Sequence, residues 1–210
     1  MKAKHGFLGI LVLIAILTLA ACDNSDDGGS PSYEYGPGGG IIFYKNEAGF
    51  TVYQYAGDTT GVTCHYLEAA LYDISPRAWA SGEFPYGYTQ TNIEGTSTDF
   101  GTGKRNTAVI LAVDSDAPAA KACNDYIGKD GYNDWFLPSK DELYKLYEFY
   151  AAHGKGSYAN LKYNKWYWSS SQYNDTLTYA WHQGFDNSGN QMQYYKYMDT
   201  TIYVRAIRAF

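Results

Sequence analysis

Apolar residues recur along the chain in two rhythms, and where the rhythm changes the chain changes element. Ile41 to Tyr44 is a short apolar run behind the turn-forming Gly36-Pro-Gly-Gly-Gly40, and it reads as a buried strand. Phe50 to Tyr55 and His65 to Ala70 predict two more strands, separated by the turn at 57–61. Residues 75–104 are rich in Gly, Pro, Ser and Thr and predict a long ordered loop. Helical spacing then takes over from Asn106 to Ile127, with a break near Asp114–Pro118. A second helix is punctuated more sharply. Ser139-Lys-Asp-Glu142 is a capping box, Leu143, Leu146, Tyr147 and Tyr150 form the apolar stripe, and Gly154 marks the stop. After Gly156 the period returns to two. Trp166 to Ser170, Ala180 to Phe185 and Gln191 to Tyr195 read as strands, the last two joined by the hairpin signal Asp186-Asn-Ser-Gly189. Tyr203 to Phe210 predicts a closing strand, its even positions on one face and Arg205 and Ile207 on the other. Strands, two main helices, then strands predict an α+β domain with a mostly antiparallel sheet.

The first 32 residues follow different rules. Phe7 to Ala21 is fifteen residues without a charge behind Lys2 and Lys4, too short for an ordinary membrane span and right for a signal-peptide core. It ends Leu19-Ala20-Ala21-Cys22, which resembles the lipobox of bacterial lipoproteins, where cleavage precedes the Cys and the Cys carries the lipid. The expected organisation is a signal peptide over 1–21, a flexible acidic tether over 22–32 and one domain over 33–210. The resulting location is the bacterial cell envelope, lipid-anchored and facing the periplasm or the exterior, with the membrane as a partner through Cys22.

Composition narrows the function. Aromatic residues make up 18% of the chain, with 23 Tyr, while charged residues are 18%, which excludes general disorder. The formal charge of −6 argues against nucleic acid as a partner. Acidic excess is concentrated before residue 155, whereas residues 155–210 carry six basic side chains against three acidic ones, a hint of an anionic ligand at that end. Once Cys22 is lipidated, Cys64 and Cys123 remain, either as a disulfide or as two small buried hydrophobes.

Catalytic signatures are scarce. His65, His153 and His182 are isolated, and Gly101-Thr-Gly-Lys104 lacks the spacing of a phosphate loop. Ser169 to Ser171 have no base nearby in sequence. No cofactor motif or metal set emerges, and the chain is read as a non-enzyme.

Six motifs in order carry a family resemblance: Gly36-Pro-Gly-Gly-Gly-Ile-Ile-Phe-Tyr44, Tyr66-Leu-Glu-Ala-Ala70, Gly101-Thr-Gly-Lys-Arg-Asn-Thr107, Trp135-Phe-Leu-Pro-Ser-Lys-Asp-Glu-Leu143, Tyr167-Trp-Ser-Ser-Ser171 and Val204-Arg-Ala-Ile-Arg-Ala-Phe210. Together they resemble the domain family named after the C-terminal domain of a Legionella collagen-like adhesin, over about residues 33–210. The resemblance implies a C-type-lectin-like fold and an envelope adhesin that binds an extracellular glycan or protein. It implies no calcium-dependent sugar site, because Tyr132-Asn-Asp-Trp135 lacks the partner motif such sites carry. The family also overlaps with targets of diversity-generating retroelements, and Tyr, Asn, Asp and Ser fill 13 of the 32 residues from Gln172 to Tyr203.

The candidate recognition surface is therefore the C-terminal hairpin: Tyr173, Asn174, Asp175, His182, Asp186, Asn187, Asn190, Gln193, Tyr195 and Tyr197. These mix flat aromatic faces with short hydrogen-bonding groups, a surface suited to sugars and protein epitopes. Two other readings stand beside it: a carbohydrate-processing enzyme using carboxylate pairs, and an envelope-structural protein with no small ligand.

Overall fold

Two sheets and three α-helices realise these rhythms, in a computed structural model that describes residues 33–82, 92–153, 160–173, 178–197 and 201–210. The leader, the tether with Cys22, and Asn174 and Asp175 lie outside the described residues. The first sheet has the order β1-β2-β7, built from β1 (Ile41–Val52), β2 (Val62–Ala69) and β7 (Ile207–Ala209). The second has the order β5-β4-β3-β6, from β3 (Trp166–Gln172), β4 (Tyr179–Gly184), β5 (Gln191–Tyr195) and β6 (Ile202–Tyr203). All pairs are antiparallel except β3 with β6. The architecture is α+β and mostly antiparallel, as the hydrophobic pattern predicts.

Two early strands are one. β1 runs through the first expected segment and into the second, ending at Val52 rather than Tyr55, and the polar stretch between Lys45 and Phe50 is a register shift against β2 rather than a break. Gly49 makes this possible with φ +81°, close against Thr63. The interrupted helix resolves into α1 (Gly103–Val113) and α2 (Pro118–Asn124), with Pro at the start of the second. Ile127, assigned by spacing to the apolar stripe, lies beyond α2 and is exposed. α3 (Lys140–Ala152) begins as expected, with both halves of the Ser139/Glu142 capping box formed.

The closing strand is the main correction. Ile202 and Tyr203 pair with β3, Val204 bridges Ile74, and Ile207 to Ala209 pair with β2, so the segment passes from one sheet to the other. Alternation fails because both sides of the segment are covered: Val204 to Arg208 are all buried. Arg205 donates to Asp73, to the Ala70 carbonyl at 2.6 Å and to the Asn160 carbonyl at 3.0 Å. Arg208 meets Glu68 at 2.8 Å and also reaches Asp134. The segment contributes to two apolar clusters, Val204 and Ala206 to one around Trp79, Trp135 and Trp168 with α1 and α2, and Ile207 to the other around Phe136, Tyr150, Tyr167 and Phe185 with α3.

Buried Glu68 explains the glycine-rich opening motif. Gly38 and Gly40 donate their N–H groups to its two carboxylate oxygens at 3.1 and 2.9 Å. A Cβ on Gly36 would fall 2.5 Å from Glu68 Oε2, and one on Gly38 2.8 Å from Oε1. The turn is glycine because a carboxylate sits inside it.

Cys64 on β2 and Cys123 on α2 are free and buried, so the disulfide alternative is set aside. Each packs in its own setting: Cys64 pairs with Phe50 across the β1–β2 ladder, and Cys123 belongs to the Trp79 cluster.

Glu68→Ala leaves the buried Arg208 guanidinium with Asp134 as its remaining carboxylate and strands two N–H groups in the interior. We expect it to lower the unfolding free energy by roughly 3–5 kcal/mol, read from urea denaturation followed by tryptophan fluorescence.

Candidate functional site

The β4–β5 register divides the hairpin's side chains between two faces. Tyr179 faces Tyr195, Trp181 faces Gln193 and Gln183 faces Gln191 on one side; Ala180 faces Tyr194 and His182 faces Met192 on the other. On the first face Tyr179 meets Tyr195 edge-on at 4.6 Å between ring centroids, and Tyr195 meets Tyr197 at 5.2 Å. Tyr173 stands edge-on to Trp181 at 5.5 Å. Above the Trp181 ring lies the Lys140 ammonium, 5.2 Å from its centroid. None of these rings is buried. The result is a partly exposed aromatic floor with Gln193 between its rings and one cation at its margin.

Lys140 comes from the first residue of α3 and is fixed there by its own backbone. Its N–H donates to Ser171 Oγ at 3.0 Å, and its carbonyl accepts from Gln191 Nε2 at 2.9 Å. Spacing along the chain gives no sign of this contact. Trp181 and Tyr179 carry a readable signal, the odd-numbered positions of a strand whose even positions are Ala180 and His182.

The sequence-predicted residues separate into three groups. Tyr173, Gln193, Tyr195 and Tyr197 belong to the aromatic face. Asp186, Asn187 and Asn190 sit at the opposite end of the hairpin, where Gly189 packs on the Tyr147 ring and the Tyr147 hydroxyl donates to the Asp186 carbonyl at 3.3 Å. There Asp186 Oδ1 accepts from Ser188 N, Ser188 Oγ and Gly189 N, which shapes the turn and lowers the carboxyl's pKa. Asn187 and Asn190 are exposed. His182 is buried on the reverse face, between Trp166 at 4.5 Å and Trp168 at 5.7 Å, with Nδ1 2.8 Å from the Met192 carbonyl. A sequence reading that groups it with surface residues overlooks this packing. Burial lowers its pKa to about 4.

Other motif residues shape the scaffold. Gly101 has φ +86°, and a Cβ there would strike the Thr51 carbonyl at 2.1 Å. Asn106 bonds both backbone groups of Ser97, and Thr107 Oγ1 accepts from Leu137 N at 3.0 Å. Ser169 donates to the Trp181 carbonyl, Ser170 accepts from Asn106, and Ser171 donates to the Ser97 carbonyl. Buried Glu142 accepts from Ser139 N at 2.7 Å and Gly101 N at 3.1 Å, while desolvation raises its pKa to about 7. A separate cleft of about 470 Å³ lies between Ala56–Thr59, Glu94 and α1, with Arg105 over the Tyr53 ring at 4.8 Å. Its Asp58 carboxylate is occupied by the N–H groups of Gln54, Thr60 and Gly61, which lower its pKa to about 2. Among the described residues no group of three or more His, Cys, Asp or Glu side chains is placed to hold a metal.

A family model described as the Lcl C-terminal domain matches residues 78–208. The chain belongs to the Lcl C-terminal domain family. This is the family that the six motifs resemble, and it is an adhesin-type domain. The matched span omits β1 and β2, yet β7 pairs with β2 and Arg208 with Glu68, so the Lcl domain is folded here onto residues before the match. A search of the curated proteins finds no match.

Because the folded-state pKa of His182 is depressed, the unfolded chain takes up the proton first as the pH falls. The stability it contributes is whole above the ordinary value of about 6.5 and drains away toward pH 4. Buried Glu142, with its raised pKa, gains stability over the same window, so the His182 contribution is read as a difference: between pH 7 and pH 4 the native protein should lose about 3 kcal/mol relative to His182→Phe, seen in paired melting curves.

Proposed function

We propose that this chain is a lipid-anchored envelope protein whose domain binds an extracellular glycan or protein ligand through the aromatic face of the β3–β4–β5 sheet. The observation that carries the reading is the arrangement of Tyr173, Trp181, Tyr179, Tyr195 and Tyr197 as neighbouring rings outside both apolar clusters. Rings left accessible on a rigid sheet offer contact area at small cost in side-chain entropy. Gln193 and Lys140 add directional and charged contacts at the same face. The turn residues Asp186, Asn187 and Asn190 are a second, more distant set, to be treated as periphery. The α+β arrangement is consistent with the C-type-lectin-like architecture that the resemblance implies.

Family membership supports a recognition role and no chemistry. The buried carboxylates Glu68, Asp73 and Glu142 are engaged in ion pairs or N–H bonds that hold the scaffold, which weighs against the carbohydrate-processing reading. Membrane attachment rests on the lipobox ending at Cys22. The retroelement reading predicts a near-copy of the 3′ coding end beside a reverse-transcriptase gene.

The triple substitution Tyr173→Ala, Trp181→Ala and Tyr195→Ala should weaken retention on glycan and host-protein arrays at least ~100-fold, as expected for aromatic anchors worth about 2 kcal/mol each. The melting temperature should move by only a few degrees, since these rings lie outside the core (roughly 2–4 °C per kcal/mol at this size). Undiminished binding sinks the assignment of this face. Independently, Cys22→Ala should move the protein from the detergent phase to the aqueous phase in a phase-separation assay.

A further inference from the structure

Gln172 and Lys196 bracket the recognition hairpin, and both are buried, each 4% exposed. Gln172 ends β3; Lys196 follows β5 and leaves it through a backbone bond, its carbonyl accepting from Trp79 N at 2.6 Å. Their side chains meet beneath the sheet. Lys196 Nζ lies 2.5 Å from Gln172 Oε1, and 4.7 Å from the centroid of the Trp79 ring.

The amide is also held at its other atoms. Gln172 Oε1 accepts a second bond from Ile93 N at 2.9 Å, and Gln172 Nε2 donates to Asn92 Oδ1 at 2.9 Å. A backbone N–H on the carbonyl oxygen stabilises negative charge that develops there when a nucleophile adds to the carbon. A fixed amide beside a fixed amine replaces a bimolecular encounter by an intramolecular one. Burial lowers the Lys196 pKa to about 8, opposed by the charge of Asp114, so a substantial share of uncharged amine is present in mildly alkaline solution.

From this geometry we propose that Lys196 and Gln172 form an intramolecular isopeptide bond. The Nζ lone pair adds to Cδ of Gln172, with the oxygen held by Ile93 N–H. The Cδ–Nε2 bond then breaks, one Nζ proton passes to Nε2, and ammonia leaves. The product is a secondary amide, and no oxidant, metal or cofactor enters the balance. The bond closes a loop over residues 173–195, so the segment carrying Trp181 and Tyr195 is covalently fixed at both ends. It is independent of ligand recognition: the face can bind without the crosslink, and the crosslink can form without a ligand.

The test is mass spectrometry of the purified full chain after proteolysis, with Lys196→Arg and Gln172→Ala as comparisons. The expected result is a branched peptide joining the Gln172 and Lys196 segments, lighter than their sum by one ammonia (about 17 Da), present in the native sequence and missing from both variants. Holding the native protein at pH 9 should increase its yield. Recovery of both segments only as linear peptides of full mass, before and after that treatment, overturns the proposal. That measurement needs only the native protein and is untouched by any folding defect in the variants.

Discussion

Two arginines can be buried here only because each meets its carboxylate inside the protein. An ionised side chain taken from water without a partner costs far more than a domain of this size has to spare. Arg205 meets Asp73, which also accepts the Tyr167 hydroxyl at 2.8 Å, and Arg208 meets Glu68 and Asp134. Both guanidiniums sit on the segment that passes from one sheet to the other. Their pairing therefore fixes where that segment lies, and with it the relation between the β1-β2-β7 sheet and the sheet that carries the aromatic face. Glu68 in turn dictates glycine at 36 and 38. A chain of necessity runs from the charges to the turn, and from the turn to the start of β1.

The same pairs remove the apparent basic character of the C-terminal region. Arg205 and Arg208 count in the sequence as surface charge, but both are neutralised in the interior, and Lys196 is buried as well. The cation available to the aromatic face is Lys140, supplied by α3. Polarity at the face thus owes more to a helix start contributed from elsewhere in the chain than to the local composition of the last fifty residues.

Much of the scaffold is legible in the sequence because its signals are local. A capping box, a proline at a helix start and a two-residue alternation act over a few residues, and α3, α2, β3, β4 and β5 lie close to where those signals put them. What is not legible depends on contacts between separate elements, 132 residues apart for Arg205 and Asp73 and across the strand ladder for His182. Nothing near Arg205 announces Asp73, so an outward-facing position and a buried ion pair look alike in the sequence. His182 reads as a surface residue because a polar side chain in a polar-aromatic segment carries no mark of the two tryptophans that enclose it. Tyr173, Gln193, Tyr195 and Tyr197 are readable as candidates, and Tyr179 and Trp181 share a readable alternation; the Lys140 side chain completing their face comes from a helix 41 residues from Trp181 and leaves no trace in the sequence.

The two thiols carry one more consequence. Cys64 and Cys123 are buried apart, and burial raises the pKa of both, so the reactive thiolate is scarce at neutral pH. Among the described residues there is therefore no disulfide for a reductant to break, and little nucleophilic sulfur for an oxidant to reach.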